Sequence, residues 1–266
     1  MKDFGEIWDK TWTEYKTKIK SFVKLFTVYF LLIPFIFMLI ATAVYVLSTL
    51  TGFLPLLALI PVLILVAIGI MLLGYVNYTY LALQKTGKHS IKEIYNQSKP
   101  RYWSYFRLFI VMILFAAAFL FIPILIPAIP FFTGMSLIWI LPLSLISIAM
   151  ILIFISFALY WSFASFIVVE EKIKVILALK KSFKIVKGKW WLVFGYGLLI
   201  GLILSIISSI LGLPQLAGSI IRIFSPEIGW TIYTIGTIIR IIAQALIMPF
   251  GLLFFKNFYL EMKNRK

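Results

Sequence analysis

Six stretches of this chain stay apolar for longer than the roughly 18 residues that mark a bilayer-crossing segment. They run from about Phe22 to Leu50, Phe53 to Gln84, Tyr105 to Ile126, Leu137 to Val169, Trp190 to Leu213 and Gly229 to Phe258. In hydrocarbon no water reaches the backbone, so a spanning segment has to satisfy its own N–H and C=O groups as a helix or close into a barrel. Runs of this length without strict alternation read as helices. A hydrophobic share of 63%, against about 45–50% in soluble domains, excludes a soluble globule. The chain reads as one all-α domain over 1–266, a polytopic membrane protein with six transmembrane helices. The longest runs correspond to about 45 Å of helix, so tilt or extension into the interface is expected.

The charge distribution gives orientation. Of the 25 lysines and arginines, all but Arg222 and Arg240 lie in, or within three residues of, the N-terminal segment, the second and fourth loops and the C-terminal tail. Positively charged loops stay on the cytoplasmic side, so both termini are expected there, in a multi-pass protein of the cell membrane. Trp8, Trp12, Trp103, Trp190 and Trp191 fit an inner aromatic belt, and Trp139 and Trp230 an outer one. The net charge of +16 is spent on these short loops, which argues against nucleic acid as a partner.

Between Glu170 and Gly201 a basic amphipathic helix runs directly into a span. Val175, Ile176, Leu179, Phe183 and Val186 share one arc, while Lys174, Lys180, Lys181, Lys184 and Lys187 share the opposite arc. That pattern predicts a cytoplasmic interfacial helix whose lysines form a surface for anionic lipid. A similar stripe of Phe4, Trp8, Trp12, Tyr15, Ile19 and Phe22 predicts an interfacial helix at the N-terminus. In the loop near residues 85–103, Pro100 disfavours helix at Lys99 and keeps the helix there short. An offset of 84 residues aligns Ile7 with Ile91 and Val175, Phe22 with Phe106 and Trp190, and Ser98 with Ser182. The arrangement suggests three two-span repeats, 1–84, 85–168 and 169–266, related about the membrane normal. Between spans five and six, the segment PQLAGSIIRIFSPEIGW is expected to be an outer loop carrying a short interfacial helix.

Groups able to do chemistry are scarce. There are no cysteines and one histidine, His89, in a polar loop. None of the nine acidic residues lies in the middle of a span, where proton relays place them. Glu170 and Glu171 are adjacent, and neighbours on a helix do not face each other. No cofactor or metal set emerges, and the chain reads as non-catalytic. Gly197 and Gly201 form a small-xxx-small pair expected to admit a close helix neighbour. Asn77 and Gln84 are expected to make interhelical hydrogen bonds. Arg240 stands out, because a charge in mid-membrane costs about 2.5–3.5 kcal/mol on insertion scales. Gln244, one turn on, shares its face. Arg240 is expected either to hold an anion with Gln244 or to pair structurally with groups such as Ser205, Ser208 and Ser209.

The run Phe166-Ile-Val-Val-Glu170, with Ala178-Leu-Lys-Lys-Ser182-Phe and Gly188-Lys-Trp-Trp191 beyond it, resembles a pattern in a family of prokaryotic six-span membrane domains. These include the membrane-anchoring domain beside some glycerophosphodiester phosphodiesterases and its uncharacterised stand-alone relatives. That pattern carries a proline just before Val168 and a glycine after Glu171, where this chain has Ile167 and Lys172. The resemblance implies fold and location, and no hydrolytic activity. The leading expectation is a non-catalytic protein that handles, senses or scaffolds around lipid-like or amphipathic molecules, with anionic membrane lipids and a membrane protein as partners. The alternative is a transporter or channel for an anionic or amphipathic substrate held at Arg240.

Overall fold

A computed structural model describes residues 3–85, 90–134 and 136–264. Lys88 and His89 lie outside the described residues. The protein is a polytopic all-α membrane protein, with six helices among the described residues long and apolar enough to cross a bilayer. In order these are α1 (Phe4–Phe26) joined through a π-helical segment (Thr27–Leu32) to α2 (Ile33–Thr51), then α3 (Leu59–Leu83), then α4 (Ile91–Ser98) leading into α5 (Tyr102–Ala116). The short α6 (Ile122–Leu125) and α7 (Ile129–Thr133) follow, then α8 (Ile140–Tyr160), α9 (Ala164–Glu171), α10 (Val175–Val186), α11 (Trp190–Phe224) and α12 (Pro226–Lys263). Two π-helical segments, Thr27–Leu32 and Ala117–Phe121, lie just before Pro34 and Pro123. A proline ring displaces the carbonyl four residues back. Here those carbonyls belong to Phe30 and Phe119, inside the π segments, where the wider ladder absorbs the mismatch.

The chain forms two compact units, Met1–Tyr102 with Gly195–Lys266, and Trp103–Phe194. In the first, α1 packs on α12 and also meets α3 and α4. Phe4 meets Phe254, and Trp8 meets Phe250, with ring centroids 5.0 and 4.7 Å apart. The face of α1 that is buried is Ile7, Thr11, Lys18, Phe22, Leu25 and Phe26. Its polar members belong to a network. Glu14 Oε2 accepts from Lys256 Nζ and lies 3.6 Å from Lys18 Nζ. Lys18 also donates to the carbonyls of Ala82, at 3.2 Å, and Gln84, at the end of α3. Lys256 donates to Asn257 Oδ1 at 2.9 Å, and Asn257 Nδ2 to Thr11 Oγ1 at 3.1 Å. Lys18 and Lys256 are 1% and 3% exposed, so their ammonium groups depend on these partners. Tyr78 OH donates to Phe22 O at 2.8 Å and adds a second tie between α1 and α3.

Four expectations change. The N-terminal amphipathic segment and the first span are not two elements but one helical stretch, Phe4–Thr51. The expected loop between spans five and six is helical almost throughout: α11 continues past Pro214 to Phe224, α12 starts at Pro226, and Ser225 alone separates them. The SIIRIF segment forms the last turns of α11. Gly201 approaches nothing and Gly197 only the Phe255 ring, at 3.9 Å, so this pair marks no tight crossing. Finally, Pro100 does not keep Lys99 out of the helical region as expected: Lys99 has φ −48° and ψ −44°, and a 3₁₀ turn carries the chain from α4 into α5 within one helical stretch, Ile91–Ala128.

Removing one partner from a buried ion pair leaves an uncompensated charge, typically a loss of about 3–5 kcal/mol. Glu14→Gln is therefore expected to destabilise the protein by about that much, and adding Lys256→Met should recover most of the loss. A double-mutant cycle on detergent-solubilised protein measures the coupling, and additive effects would exclude the pair as a tie.

Candidate functional site

Helices α11 and α12 form an antiparallel hairpin whose backbones touch. A Cβ on Gly218 would overlap the backbone of Tyr233, one on Gly229 that of Arg222, and one on Gly236 that of Gln215. Small residues allow such approach, and close packing replaces the hydrophobic force that is missing between helices in lipid. Gly229, Gly236 and Ala243 are buried and recur every seven residues along α12. With the backbones this close, side chains beside the contact reach across. Arg240 Nη1 donates to Gln215 Oε1 at 2.8 Å, and Gln244 Nε2 to Ser208 Oγ at 3.0 Å. The Arg222 guanidinium lies 4.6 Å from the Trp230 ring centre and 5.9 Å from that of Tyr233. Ser219 and Thr237 turn their hydroxyls to carbonyls of their own helices.

One seam of the hairpin is thus polar from Ser208 and Gln244 to Arg222 and Trp230. The sequence candidates Arg240 and Gln244 share it, but each has its own partner. Of the serines expected near Arg240, Ser208 is taken by Gln244, and Gln215 holds the arginine. Gln215 was assigned to a loop and could not have been found from the sequence while α11 was ended at Leu213. Arg240 remains exposed on the surface of the chain.

In the unit Trp103–Phe194, α10 packs on α8 and α9. The residues it buries are Val175, Ala178, Ser182 and Val186. This departs from the expected stripe: Ile176 is 68% exposed, and Leu179 and Phe183 are half-buried. The stripe is rotated because Ser182 belongs inside, where its Oγ donates to Tyr160 O at 2.7 Å and accepts from Phe163 N at 3.2 Å. Lys174, Lys180, Lys181, Lys184 and Lys187 are all exposed, and Lys181 pairs with Glu171. Asn77 Oδ1, in the other unit, accepts from Ser98 Oγ, the α3–α4 bond expected of it. Gln84 contributes only its carbonyl, to Lys18.

The same unit contains a groove between α5 and α8 that the sequence did not reveal. Phe109, Met112, Phe115, Ala116, Phe154, Ala158 and Trp161 line a cleft of about 250 Å³. Phe109, Met112 and Trp161 also line an adjoining cleft of about 190 Å³, which ends at Tyr105, Ser162 and Ser165. The groove is apolar at one end and carries hydroxyls at the other. Phe115 braces it, with ring centroids 4.8 Å from Trp161 and 5.7 Å from Phe154. Ser162 Oγ is enclosed and has no hydrogen-bond partner among the described residues. Buried hydroxyls are nearly always bonded, which makes this one an exception beside the cleft. The only trace in the sequence is that Ala116 and Ala158 put small side chains where the helices face each other.

These features define a multi-pass integral membrane protein with a polar helical seam in one unit and a polar-ended apolar groove in the other. No protein family, characterised protein or solved structure matches the chain.

The glycine contacts give a direct test. Overpacking a tight contact typically costs about 1–3 kcal/mol. Gly218→Ala and Gly236→Ala are expected to lower stability by at least that scale, whereas Gly201→Ala, with open space around it, should raise stability by about 0.5–1 kcal/mol. Thermal unfolding in detergent ranks the three, and equal effects would exclude a backbone contact. A second test concerns Lys172, whose φ of +55° is left-handed at the cap of α9. A left-handed residue other than glycine pays about 1–2 kcal/mol. Lys172→Gly is expected to stabilise the protein by about that amount, and a loss of stability would mean that the lysine side chain has a role there.

Proposed function

We propose that this protein is a non-catalytic membrane protein that handles lipid-like or amphipathic molecules, and that the groove between α5 and α8 receives the apolar part of its ligand. The observation that carries this reading is the groove's polarity. An acyl chain fits among Phe109, Met112 and Phe154, and the unpartnered Ser162 hydroxyl can bond an ester, hydroxyl or headgroup oxygen at the other end. The exposed lysines of α10 supply attraction to anionic lipid, about 1 kcal/mol each near a surface. Both termini belong on the cytoplasmic side of the cell membrane under the positive-inside rule.

Native mass spectrometry of protein extracted from membranes tests the groove. A phospholipid or other amphiphile is expected to remain bound to the wild type and to be lost in Ala158→Phe, which fills the cleft. Ser162→Ala should weaken retention about two- to tenfold, the scale of one hydrogen bond. Identical retention in all three proteins, with unchanged melting temperatures, would overturn the reading. For orientation, a reporter fused after Lys187 is expected in the cytoplasm and one near Gly134 outside, and the reverse pattern would invert the topology.

A further inference from the structure

We infer that the polar seam of the α11–α12 hairpin is a docking surface for a transmembrane helix of another protein, one carrying an aspartate or glutamate at mid-membrane opposite Arg240. The inference is independent of the groove. Depth comes first. Trp8 packs on Phe250, and Trp230 lies twenty residues before Phe250 on the same helix, about 30 Å of helix and the thickness of the hydrocarbon core. Tryptophans favour the two boundaries, which puts Arg240, ten residues from each, at the centre. There it stands about 15 Å from either boundary, out of reach of a phospholipid phosphate in its usual place.

Charge comes second. Gln215 satisfies one N–H of the guanidinium but is neutral, so the positive charge stays uncompensated. Intramembrane charges pair with one another or face a polar interior. No acidic residue of this chain lies between Glu227 and Glu261 on α12, and none lies anywhere on α11. A second copy packed seam to seam would bring two arginines together and add no carboxylate. The counter-charge therefore comes from a different polypeptide.

Shape comes third. The glycine contacts hold Gln215 and Arg240 in register, so the guanidinium is positioned before any partner arrives, and Gln244–Ser208 and Arg222–Trp230 extend the polar stripe above and below it. A carboxylate can accept two parallel N–H bonds from an arginine fork.

The test uses fluorescently labelled transmembrane peptides, polyleucine hosts with one central Glu or Gln, and energy transfer to the labelled protein in phosphatidylcholine vesicles at pH 8. The Glu peptide is expected to bind the wild type about tenfold more tightly than the Gln peptide, the scale of a polar pair in lipid. Arg240→Gln should abolish the difference and Arg240→Lys retain part of it, since lysine keeps the charge without the fork. Matching helical spectra and melting temperatures for the three proteins separate binding from folding. Equal binding of both peptides to the wild type, or a preference that survives Arg240→Gln, overturns the inference. So does retention of phosphatidylglycerol that depends on Arg240 without peptide discrimination, which assigns the seam to lipid. Self-association of the protein that depends on Arg240 overturns it in favour of a second copy.

Discussion

Glu14 is one carboxylate holding two ammonium groups, and the unit Met1–Tyr102 with Gly195–Lys266 is assembled around that arrangement. Lys256 arrives from α12 and Lys18 from the next turn of α1. The surplus positive charge is met by the carbonyls of Ala82 and Gln84 at the end of α3, where the helix dipole is negative. Three helices distant in sequence are brought to one level, because a lysine buried this deeply is stable only with every partner present. Apolar packing against Phe250 and Phe254 adds area, but in a lipid-exposed protein apolar area is cheap to satisfy elsewhere, since lipid tails serve as well as leucines. Polar ties do not have that freedom, so they select the arrangement.

The same reasoning explains which parts of the fold were legible. Long apolar runs bounded by lysines leave one solution, and the six helices were read from them. Asn77 had to bond a neighbour because it lies inside an apolar run, whereas Pro100, expected to keep Lys99 out of the helix, only tightens the chain into a 3₁₀ turn with Lys99 still helical. Pro214 misled too. In water an internal proline usually ends a helix, but a membrane helix has no solvent in which to unwind, and neighbours take up the freed groups. The helix therefore continued ten residues beyond Pro214, and Gln215 moved from a presumed loop to the side of Arg240.

Burial of charge was the other illegible quantity. Helical periodicity sorts residues by polarity, so it offers no reason to bury a lysine of the N-terminal segment. Lys18 stands at the spacing of Ile7, Thr11, Phe22 and Leu25, and only the position of α3 shows why it belongs there. In α10 the error had the same origin with the sign reversed: Ile176 was placed inside by its hydropathy, while Ser182 took the buried position because Tyr160 and Phe163 present a carbonyl and an N–H to it. The left-handed backbone of Lys172 could be seen only once its dihedral angle was known. The groove left almost no trace, since a void between helices is a property of two faces and the sequence records each separately.

Close glycine packing and the polar seam of the hairpin are two aspects of one device. Backbones separated by larger side chains would leave Gln215 too far from Arg240 and Ser208 too far from Gln244 to bond. Once the glycines bring them together, the polar groups satisfy one another in pairs and can be carried into lipid. Hydrogen bonding and charge are nonetheless different accounts. An amide offers Arg240 a dipole, which fixes the direction of the guanidinium, but the field of a full charge in a low-dielectric medium reaches far beyond one neighbour. A chain that orients an arginine within a long apolar helix and leaves it on its surface sets a charge where a low dielectric would let its field reach far.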